Sequence, residues 1–452
     1  MMKFPPKTRI QDPFNCISKN SPELLGQYLE LFSPVDRKGR YLPFDEITYR
    51  IPKGLDEDLV WSVIKSSREK QLKKLIVIGE PVQACHYYST PTIQKAISET
   101  DRNTTTASLE WMCNKIGEEK HLEYLLNDLI EDEAISSSQL EGAATTTKIA
   151  KDMLKRKRKP RTPDEKMILG NFKMMQLSWQ NRHKDLSVDL ILELHKVGVE
   201  DIDNDHYYPG VLRNTDNVEV VDADGNTVHT PPPAEGLEQR LINLAEWTNQ
   251  DHGDIDSDKY LHPLLKAISL HFAIGYEHPF RDGNGRVARA LFYWYMFKND
   301  FSAFRYISIS LLLKSAPVKY GKSYLYTETD DMDLTYFLDY QSHIILRAIG
   351  NFKNSYKKSL QEESEFNKWL WESGLYGKLN EKQKTVFQVA KSKRALSFTA
   401  MNVKDNLNCS YNTAATVLNG LVDLGLFEKK KLGREWVFSI RGHDKIIELW
   451  KN

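Results

Sequence analysis

Residues 278–289 bring together, in twelve positions, side chains that could hold a nucleotide phosphate chain and deprotonate a hydroxyl beside it. His278 has an unperturbed pKa near neutrality, which suits proton transfer. Asp282 offers an oxygen to Mg²⁺, which takes few protein ligands and completes its shell with phosphates and water. Arg286 and Arg289 can each bind phosphate oxygens through a planar guanidinium. These residue types therefore predict a phosphate site with a base next to it.

The phosphate site is predicted to lie where a loop runs into the N-terminus of a helix. Apolar positions 264, 265, 268 and 272 have helical spacing, and we expect that helix to end at Gly275 and Pro279. A helical period resumes after Gly285. A helix N-terminus has unpaired N–H groups and partial positive charge, which suits phosphate. Gly283 and Gly285 allow consecutive N–H groups to face one anion.

Each part of this stretch has a simpler explanation when it is taken alone. A histidine beside a proline is usually structural, and Asp-Gly-Asn-Gly is usually a turn. A calcium-binding EF-hand loop is excluded because Arg286 and Val287 occupy positions that require an acidic or amide residue and a glycine. The combination within one stretch is what favours a phosphate site.

The stretch resembles the signature of the Fic family, His-Pro-Phe-x-Asp-Gly-Asn-Gly-Arg-x-x-Arg, at every fixed position. The resemblance implies transfer of AMP from ATP, with Mg²⁺, to a Ser, Thr or Tyr hydroxyl of a protein. It implies that His278 is the general base and Asp282 the Mg²⁺ ligand. The residues that it implies for phosphate binding are Gly283, Asn284, Gly285, Arg286 and, at the terminal phosphate, Arg289.

A second motif lies upstream, at Ser137-x-x-x-Glu141-Gly142. Residues 121–142 have helical spacing of leucines, Gly142 is a natural helix stop, and Ser137 and Glu141 share one face. A solvated helix end explains these residues alone. The motif also resembles the Fic inhibitory motif, Ser/Thr-x-x-x-Glu-Gly/Asn. That resemblance implies that Glu141 pairs with Arg289, and a carboxylate there would also repel the terminal phosphate.

A β-hairpin and two tyrosines complete the predicted site. Two β-rich runs flank Asp224-Gly225, which indicates a hairpin at about 217–231. The family resemblance implies that this hairpin is the flap that pairs with the backbone of a target protein. Tyr320 and Tyr324 are candidates for adenine and ribose contacts, and core packing explains them equally well. Family members often have a Tyr-Tyr pair here, whereas this chain has Tyr320-Gly321.

The chain is predicted to be mostly α-helical: a Fic-type helical bundle with a β-hairpin flap and a small C-terminal winged helix-turn-helix domain. Residues 1–110 form a loop-rich N-terminal segment with one helix at about 59–75. The catalytic core follows at 111–350, then a helical linker at 351–377 and the winged helix at 378–452.

The predicted winged helix does not favour DNA as its partner. Helices are expected at Lys382–Ala390, from Phe398 onward and at Ser410–Leu421, followed by two strands that turn at Gly433. The last of these helices would enter the major groove, yet it has no Lys or Arg. Protein interaction or homodimer formation is therefore favoured over DNA binding.

Composition sets the remaining limits. The 452 residues include 62 basic and 62 acidic side chains, so the formal net charge of 0 predicts no general attraction to nucleic acid. The 4 scattered cysteines favour a reducing cytoplasm, and no apolar run is long enough to cross a membrane or act as a signal segment.

Three alternatives to AMP transfer stay open on the sequence. Two are other reactions: hydrolytic removal of AMP, and transfer of a different phosphate-linked group. The third is a transcription regulator whose site binds nucleotide only to sense it. Self-modification is compatible with each of the transferase interpretations.

Overall fold

The computed structural model describes residues 3–116, 131–155, 158–202, 207–221, 227–253, 260–391, 395, 397–432 and 435–450. Their helices are α1 (Pro13–Asn20), α2 (Leu25–Leu29), α3 (Phe44–Ile47), α4 (Glu57–Glu69), α5 (Pro91–Asn103), α6 (Thr106–Ile116), α7 (131–140), α8 (Thr147–Lys155), α9 (Pro163–Gln180), α10 (Val188–Val199), α11 (Leu237–Asn249), α12 (Pro263–Glu277), α13 (Asn284–Lys298), α14 (Ser310–Lys314), α15 (Pro317–Thr329), α16 (Thr335–Glu372), α17 (Glu381–Lys391), α18 (Ala400–Leu407), α19 (Tyr411–Asp423) and α20 (His443–Trp450).

The strands of the described residues form three separate antiparallel hairpins. They are β1 (Lys73–Ile78) with β2 (Gln83–Tyr87), β3 (Val220–Val221) with β4 (Thr227–His229), and β5 (Phe427–Leu432) with β6 (Glu435–Ile440). The prediction of a mostly helical protein is therefore confirmed.

Helices α12 and α13 form the centre of the molecule. Nearly every residue of both helices is buried, including the polar ones. A helix whose polar and apolar faces are both buried packs against several other elements. Here α9 and α10 pack on α13, while α11, α16 and strand β1 pack on α12. The segment between α12 and α13 is therefore fixed at both ends by buried helices.

The end of α12 differs from the sequence prediction at Gly275. The helix continues through this glycine to Glu277, and His278 then adopts a left-handed conformation with φ 48° before Pro279. Gly275 allows α15 to pack closely on α12 and does not end the helix. A Cβ atom at this position would lie 2.5 Å from the Tyr324 hydroxyl, so only glycine lets α15 approach α12 this closely.

The N-terminal region has its own small core and more regular structure than expected. The predicted helix at 59–75 is shorter, Glu57–Glu69, because the run Leu75-Ile76-Val77-Ile78 belongs to strand β1. β-branched residues in this run favour a strand. Helix α4 then joins this region to the rest of the molecule through buried polar contacts. Lys65 forms an ion pair of 2.8 Å with Asp330, and Arg68 donates to the Tyr336 hydroxyl at 2.8 Å.

The C-terminal elements follow the predicted order of three helices and a β-hairpin. A backbone pairing between Phe398 and Phe438 fastens the segment before α18 to strand β6. Gly433, the predicted turn, lies outside the described residues. Helix α16 runs unbroken for 38 residues across the domain boundary predicted at 350. The assignment of these elements as a winged helix, and the domain limits, stay predictions.

Among the described helices, none has the length and apolarity that a membrane crossing would require.

We predict that Arg68→Ala lowers the free energy of unfolding by about 3 kcal/mol, because it leaves buried carbonyl and hydroxyl groups without their charged donor. The Arg68 guanidinium binds the carbonyls of Pro34 and Leu42 as well as Tyr336, and it stacks on Tyr41. Urea unfolding of the full chain measures the effect.

Arg37→Ala is the matched control. Its side chain is 87% exposed and pairs with Glu30 at the surface, and exposed pairs contribute little to stability. An Arg68→Ala variant as stable as this control would contradict the role given to Arg68.

Candidate functional site

The loop between α12 and α13 is held rigid by its own side chains. Gly283 has φ 84° and precedes the first turn of α13. Asn284 binds back to the loop: its amide oxygen accepts from the Phe280 N–H and its amide nitrogen donates to the Phe280 carbonyl, both at 2.8 Å. Phe280 is fully buried. The N–H groups of the first turn of α13 therefore have a fixed direction, as an anion site requires.

The surroundings of His278 fix its tautomer and keep its imidazole uncharged. Its Nδ1 lies 3.2 Å from the Gly275 carbonyl, which can only accept, so Nδ1 carries the proton and Nε2 keeps a lone pair. Burial, assisted by the charges of His229 and Arg213, lowers the pKa of His278 to about 4. The imidazole is therefore uncharged at neutral pH and able to accept a proton.

Arg213 fixes the backbone around His278, a role that the sequence did not predict. Its Nε donates to the His278 carbonyl at 2.8 Å and its Nη2 to the Glu277 carbonyl at 3.2 Å. Nη2 also donates to Pro232, just after β4, and the Arg213 N–H donates to Pro279. A cation at the C-terminal carbonyls of α12 is favourable. Arg213 thus ties the β3–β4 hairpin to the end of α12.

His195, on α10, is a second residue that the sequence did not reveal. Its ring stacks on Phe280 with centroids 3.7 Å apart. Nε2 lies 3.0 Å from the Asp282 carbonyl and Nδ1 accepts from the Gly210 N–H at 3.1 Å. Burial lowers the pKa of His195 to about 4, which keeps the ring neutral. From the sequence, the helical spacing around His195 predicts only a buried core position. The contact with the loop between α12 and α13 is visible only in the fold.

Arg286 lies beneath the loop and is fully buried. Its Nη1 donates to the Gly198 carbonyl at 3.2 Å and its Nη2 lies 3.4 Å from the Tyr207 hydroxyl. Asp282 is 4.0 Å away, with a side chain that is 43% exposed. The Nε–H of Arg286 has no partner among the described residues, so the guanidinium keeps donor capacity. The structure thus brings Asp282 and Arg286 together at one edge of the loop.

Arg289 is held by the helix that carries the second motif. Its Nε donates to the Ser137 hydroxyl at 2.9 Å, and its Nη2 donates to the Ser137 carbonyl at 3.1 Å and to Glu141 at 2.8 Å. The guanidinium is buried, and the Glu141 side chain is 26% exposed.

The Glu141 carboxylate also lies against the first turn of α13. A Cβ atom added at Gly285 would be 2.3 Å from Glu141 Oε1. Only glycine at this position allows the carboxylate to come so close. Glu141 therefore places a negative group on the helix N-terminus that was predicted to bind phosphate.

Glu133 anchors α7 from its other end, which the sequence did not indicate. Its buried carboxylate accepts from the Ser308 hydroxyl at 2.8 Å and from the N–H and hydroxyl of Ser310 at 3.0 and 2.5 Å. Asn171, on α9, donates to the Ala134 carbonyl at 3.0 Å. Helix α7 is thus fixed by buried polar contacts on two sides.

The predicted hairpin is present as β3 and β4, and its expected turn, residues 222–226, lies outside the described residues. His229, at the end of β4, is 2.8 Å from Glu328 and 2.8 Å from the Tyr276 carbonyl. Burial alone would lower the pKa of His229, but its bond to Glu328 and that carboxylate's charge raise it above the ordinary value. Both ring nitrogens can then donate, which fastens the hairpin to α12 and α15.

Tyr320 and Tyr324 sit in an aromatic cluster beside α12. Tyr324 stacks on Phe272 with centroids 5.1 Å apart, and Tyr320 is 2.8 Å from His271 Nε2. Burial lowers the pKa of His271 to about 3, so this ring is neutral as well. Both tyrosines are half-buried and contribute to packing. Their predicted contact with adenine or ribose stays a prediction.

Comparison with known families matches residues 185–296 to the Fic/DOC family. A protein adenylyltransferase fic-1 from Caenorhabditis briggsae is 30% identical over 123 residues, which cover 26% of this chain and 21% of that protein. A protein adenylyltransferase Fic from Nematostella vectensis is 30% identical over 128 residues, which cover 28% and 26% of the two chains. The chain thus spans about a quarter of the length of these relatives, or less.

Solved structures of similar shape have lower sequence identity. A Fic family protein from Desulfovibrio desulfuricans has a TM-score of 0.47 and 15% identity, covering 78% of this chain and 97% of that one. A fragment of Fic-1 from C. elegans has a TM-score of 0.43 and 16% identity, covering 76% and 90%.

We predict that Glu133→Ala loosens α7, because the donors of Ser308 and Ser310 lose their buried acceptor. Loss of such an acceptor costs about 2 kcal/mol. Hydrogen exchange of the peptide covering 131–142 should become faster in this variant.

Lys314→Ala provides the control, since Lys314 binds the same helix from the surface, through Gln139 at 2.6 Å. Exchange in that control should stay near the wild-type rate. Equal exchange in wild type and Glu133→Ala would show that Glu133 does not hold the helix.

Proposed function

We propose that this chain transfers AMP from Mg-ATP to a hydroxyl group of a protein, because residues 185–296 match the Fic/DOC family. The observation that carries the proposal is a neutral His278 with an available Nε2, fixed where a loop enters the N-terminus of α13. A base beside an anion-binding helix N-terminus suits attack of a hydroxyl on a phosphate. The names of the relatives, protein adenylyltransferases, support the same reaction.

In the proposed reaction, the target hydroxyl oxygen attacks the α-phosphorus of ATP. The hydroxyl proton passes to His278 Nε2, and the bond from the α-phosphorus to the bridging oxygen of the β-phosphate breaks. Pyrophosphate leaves and AMP remains on the target. The low pKa of His278 supports its role, since the group must be uncharged to take the proton.

Phosphate binding is assigned to the loop and the first turn of α13. Gly283, Asn284 and Gly285 would supply backbone N–H groups, and Arg286 has an Nε–H without a partner among the described residues. Asp282 would hold Mg²⁺. A single, partly exposed carboxylate fits this ion, which binds through one or two carboxylates together with substrate phosphates. The ion would neutralise phosphate charge, while the loop N–H groups and Arg286 would orient the nucleotide.

We assign autoinhibition to Glu141. Its carboxylate occupies the N-terminal turn of α13 and pairs with Arg289, the residue expected at the terminal phosphate. ATP would therefore lose its arginine and meet a negative charge in a poorly hydrated site. The bond from Ser137 to the same guanidinium supports this assignment, because it holds Arg289 toward α7.

The target is proposed to bind along the β3–β4 hairpin, at about 217–231, with a Ser, Thr or Tyr side chain directed toward His278. Addition of a peptide strand to an exposed edge is tolerant of sequence. Exposed Val221 and the ties of His229 and Arg213 to α12 support this placement. A segment of this chain could be the acceptor, and a homodimer would supply it from a second copy.

Removal of AMP is the second candidate. The Glu141 carboxylate lies on the first turn of α13, and its charge opposes the lowering of the His278 pKa. Hydrolysis would require this carboxylate to orient a water molecule for attack on the AMP adduct. Glu141→Gly separates the two functions: it would accelerate transfer but abolish hydrolysis of a preformed AMP adduct.

We predict that His278→Ala lowers the rate of AMP transfer by about 10²- to 10⁴-fold and leaves ATP affinity unchanged, since only the proton acceptor is lost. Labelling from α-labelled ATP and nucleotide binding measure the two effects. The exposed His183 is the control position, and His183→Ala should keep full activity. Normal labelling by folded His278→Ala would exclude the base role.

The pH dependence should reflect the low pKa of His278. Its neutral form is lost as pH falls through the folded-state pKa of about 4, well below the ordinary 6.5. We expect kcat/KM of the Glu141→Gly variant to stay level between pH 7.5 and 5.5. A decline centred near 6.5 over this range would mean that His278 titrates as an ordinary histidine.

We predict that Glu141→Gly transfers AMP faster than wild type, because Arg289 is released and a competing carboxylate is removed. The double variant Glu141→Gly with Arg289→Ala should lose most of that gain. If Glu141→Gly transfers AMP at the wild-type rate and also hydrolyses an AMP adduct at the wild-type rate, Glu141 has only a structural role.

A further inference from the structure

A cavity of about 650 Å³ lies in the N-terminal region, apart from the site described above. It is bounded by the end of α2, the loop at 33–42 and one face of α4, and it is open to solvent at its rim. None of its lining residues belongs to the loop between α12 and α13, to α7 or to the β3–β4 hairpin. Its volume falls within the range of about 300–1,000 Å³ that small-molecule sites occupy.

The floor of the cavity is apolar. Val60 and Ile64, one turn apart on α4, line it together with Leu42 and Ile47, and all four are buried. The space is open to solvent at its rim and lies against the small N-terminal core. The N-terminal core could have closed on itself through larger side chains. An apolar body of matching size would bury the same surface.

The rim of the cavity is positive. Five cationic and two acidic side chains line it. Arg37 pairs with Glu30 and Arg40 with Asp36, which accounts for both acids. Lys38 has no ion pair among the described residues and is exposed beside them. Arg50 pairs with Glu46 outside the lining, and Arg68 is buried and bound to the carbonyls of Pro34 and Leu42. Among the described residues of the lining, Lys38 is therefore the unpaired positive charge at the entrance.

We propose that this cavity binds a small amphipathic anion: an apolar chain or ring with one carboxylate. The apolar part would lie on Leu42, Val60 and Ile64, and the carboxylate would meet Lys38 at the rim. The Lys38 ammonium at the entrance favours a carboxylate and disfavours a cation. The apolar floor excludes strongly hydrated ligands such as free phosphate or a sugar.

Octanoate is the probe that tests this proposal, with octylammonium and octanol as partners of the same chain length. Calorimetric titration of the full chain should give binding of octanoate at least tenfold tighter than octylammonium, with octanol between them. The absence of octanoate binding up to about 10 mM, which corresponds to less than about 3 kcal/mol of affinity, would overturn the proposal. Equal affinity for octanoate and octylammonium would overturn the assigned charge selectivity.

Two variants locate the site. Ile64→Trp fills the floor and should abolish octanoate binding, whereas Lys38→Glu reverses the unpaired charge and should weaken octanoate about tenfold while sparing octanol. Lys38 is exposed, so its substitution leaves the fold intact even where Ile64→Trp does not. Lys19→Glu, an exposed charge reversal away from the cavity lining, is the control. Unchanged octanoate affinity in Lys38→Glu and in folded Ile64→Trp would place the binding elsewhere and contradict the proposal.

Discussion

Arg289 has one guanidinium and two possible anionic partners, and the proposed regulation depends on which of them it binds. In the structure the partner is Glu141, at 2.8 Å, with Ser137 fixing the direction of the side chain. The arginine is buried, so it cannot be left without an acceptor at small cost. Because Glu141 also lies on Gly285, the same carboxylate covers the helix N-terminus that a phosphate would need.

The elements around the contact between Arg289 and Glu141 are held in fixed positions by buried polar groups. Glu133 anchors the helix that carries Glu141, while Arg213 holds the carbonyls at the end of α12. His195 braces the loop from below as a neutral ring. Buried polar groups with complete hydrogen bonds make an arrangement rigid and specific. The proposed base, His278, therefore needs little reorganisation when a nucleotide binds.

Sequence reasoning predicted the parts of the site that lie close together in the chain. The stretch 278–289 carries its chemistry in residue types alone, and the pairing of Glu141 with Arg289 followed from family resemblance. Glu133, His195 and Arg213 were missed because the contacts that tie them to the site are distant in the chain, and no local pattern reports such contacts. Arg213 and His278 are 65 positions apart, His195 and Asp282 are 87 apart, and Glu133 and Ser310 are 177 apart. A glycine after an apolar period predicts a helix stop at Gly275, whereas its packing against Tyr324 depends on a second helix that the local sequence does not show. The residues of strand β1 also fit the end of a helix, since short apolar runs are compatible with both structures.

In the proposed regulation, Glu141 competes with the terminal phosphate of ATP for Arg289. The most direct test is to compare the affinities of ATP and AMP for wild type and for Glu141→Gly, at equal Mg²⁺. AMP lacks the phosphates that would reach Arg289. We predict that the substitution tightens ATP binding by at least tenfold and leaves AMP binding within about twofold of wild type, so that selectivity for ATP over AMP rises by at least about fivefold, or about 1 kcal/mol. An equal change for both nucleotides, or none for ATP, would contradict it.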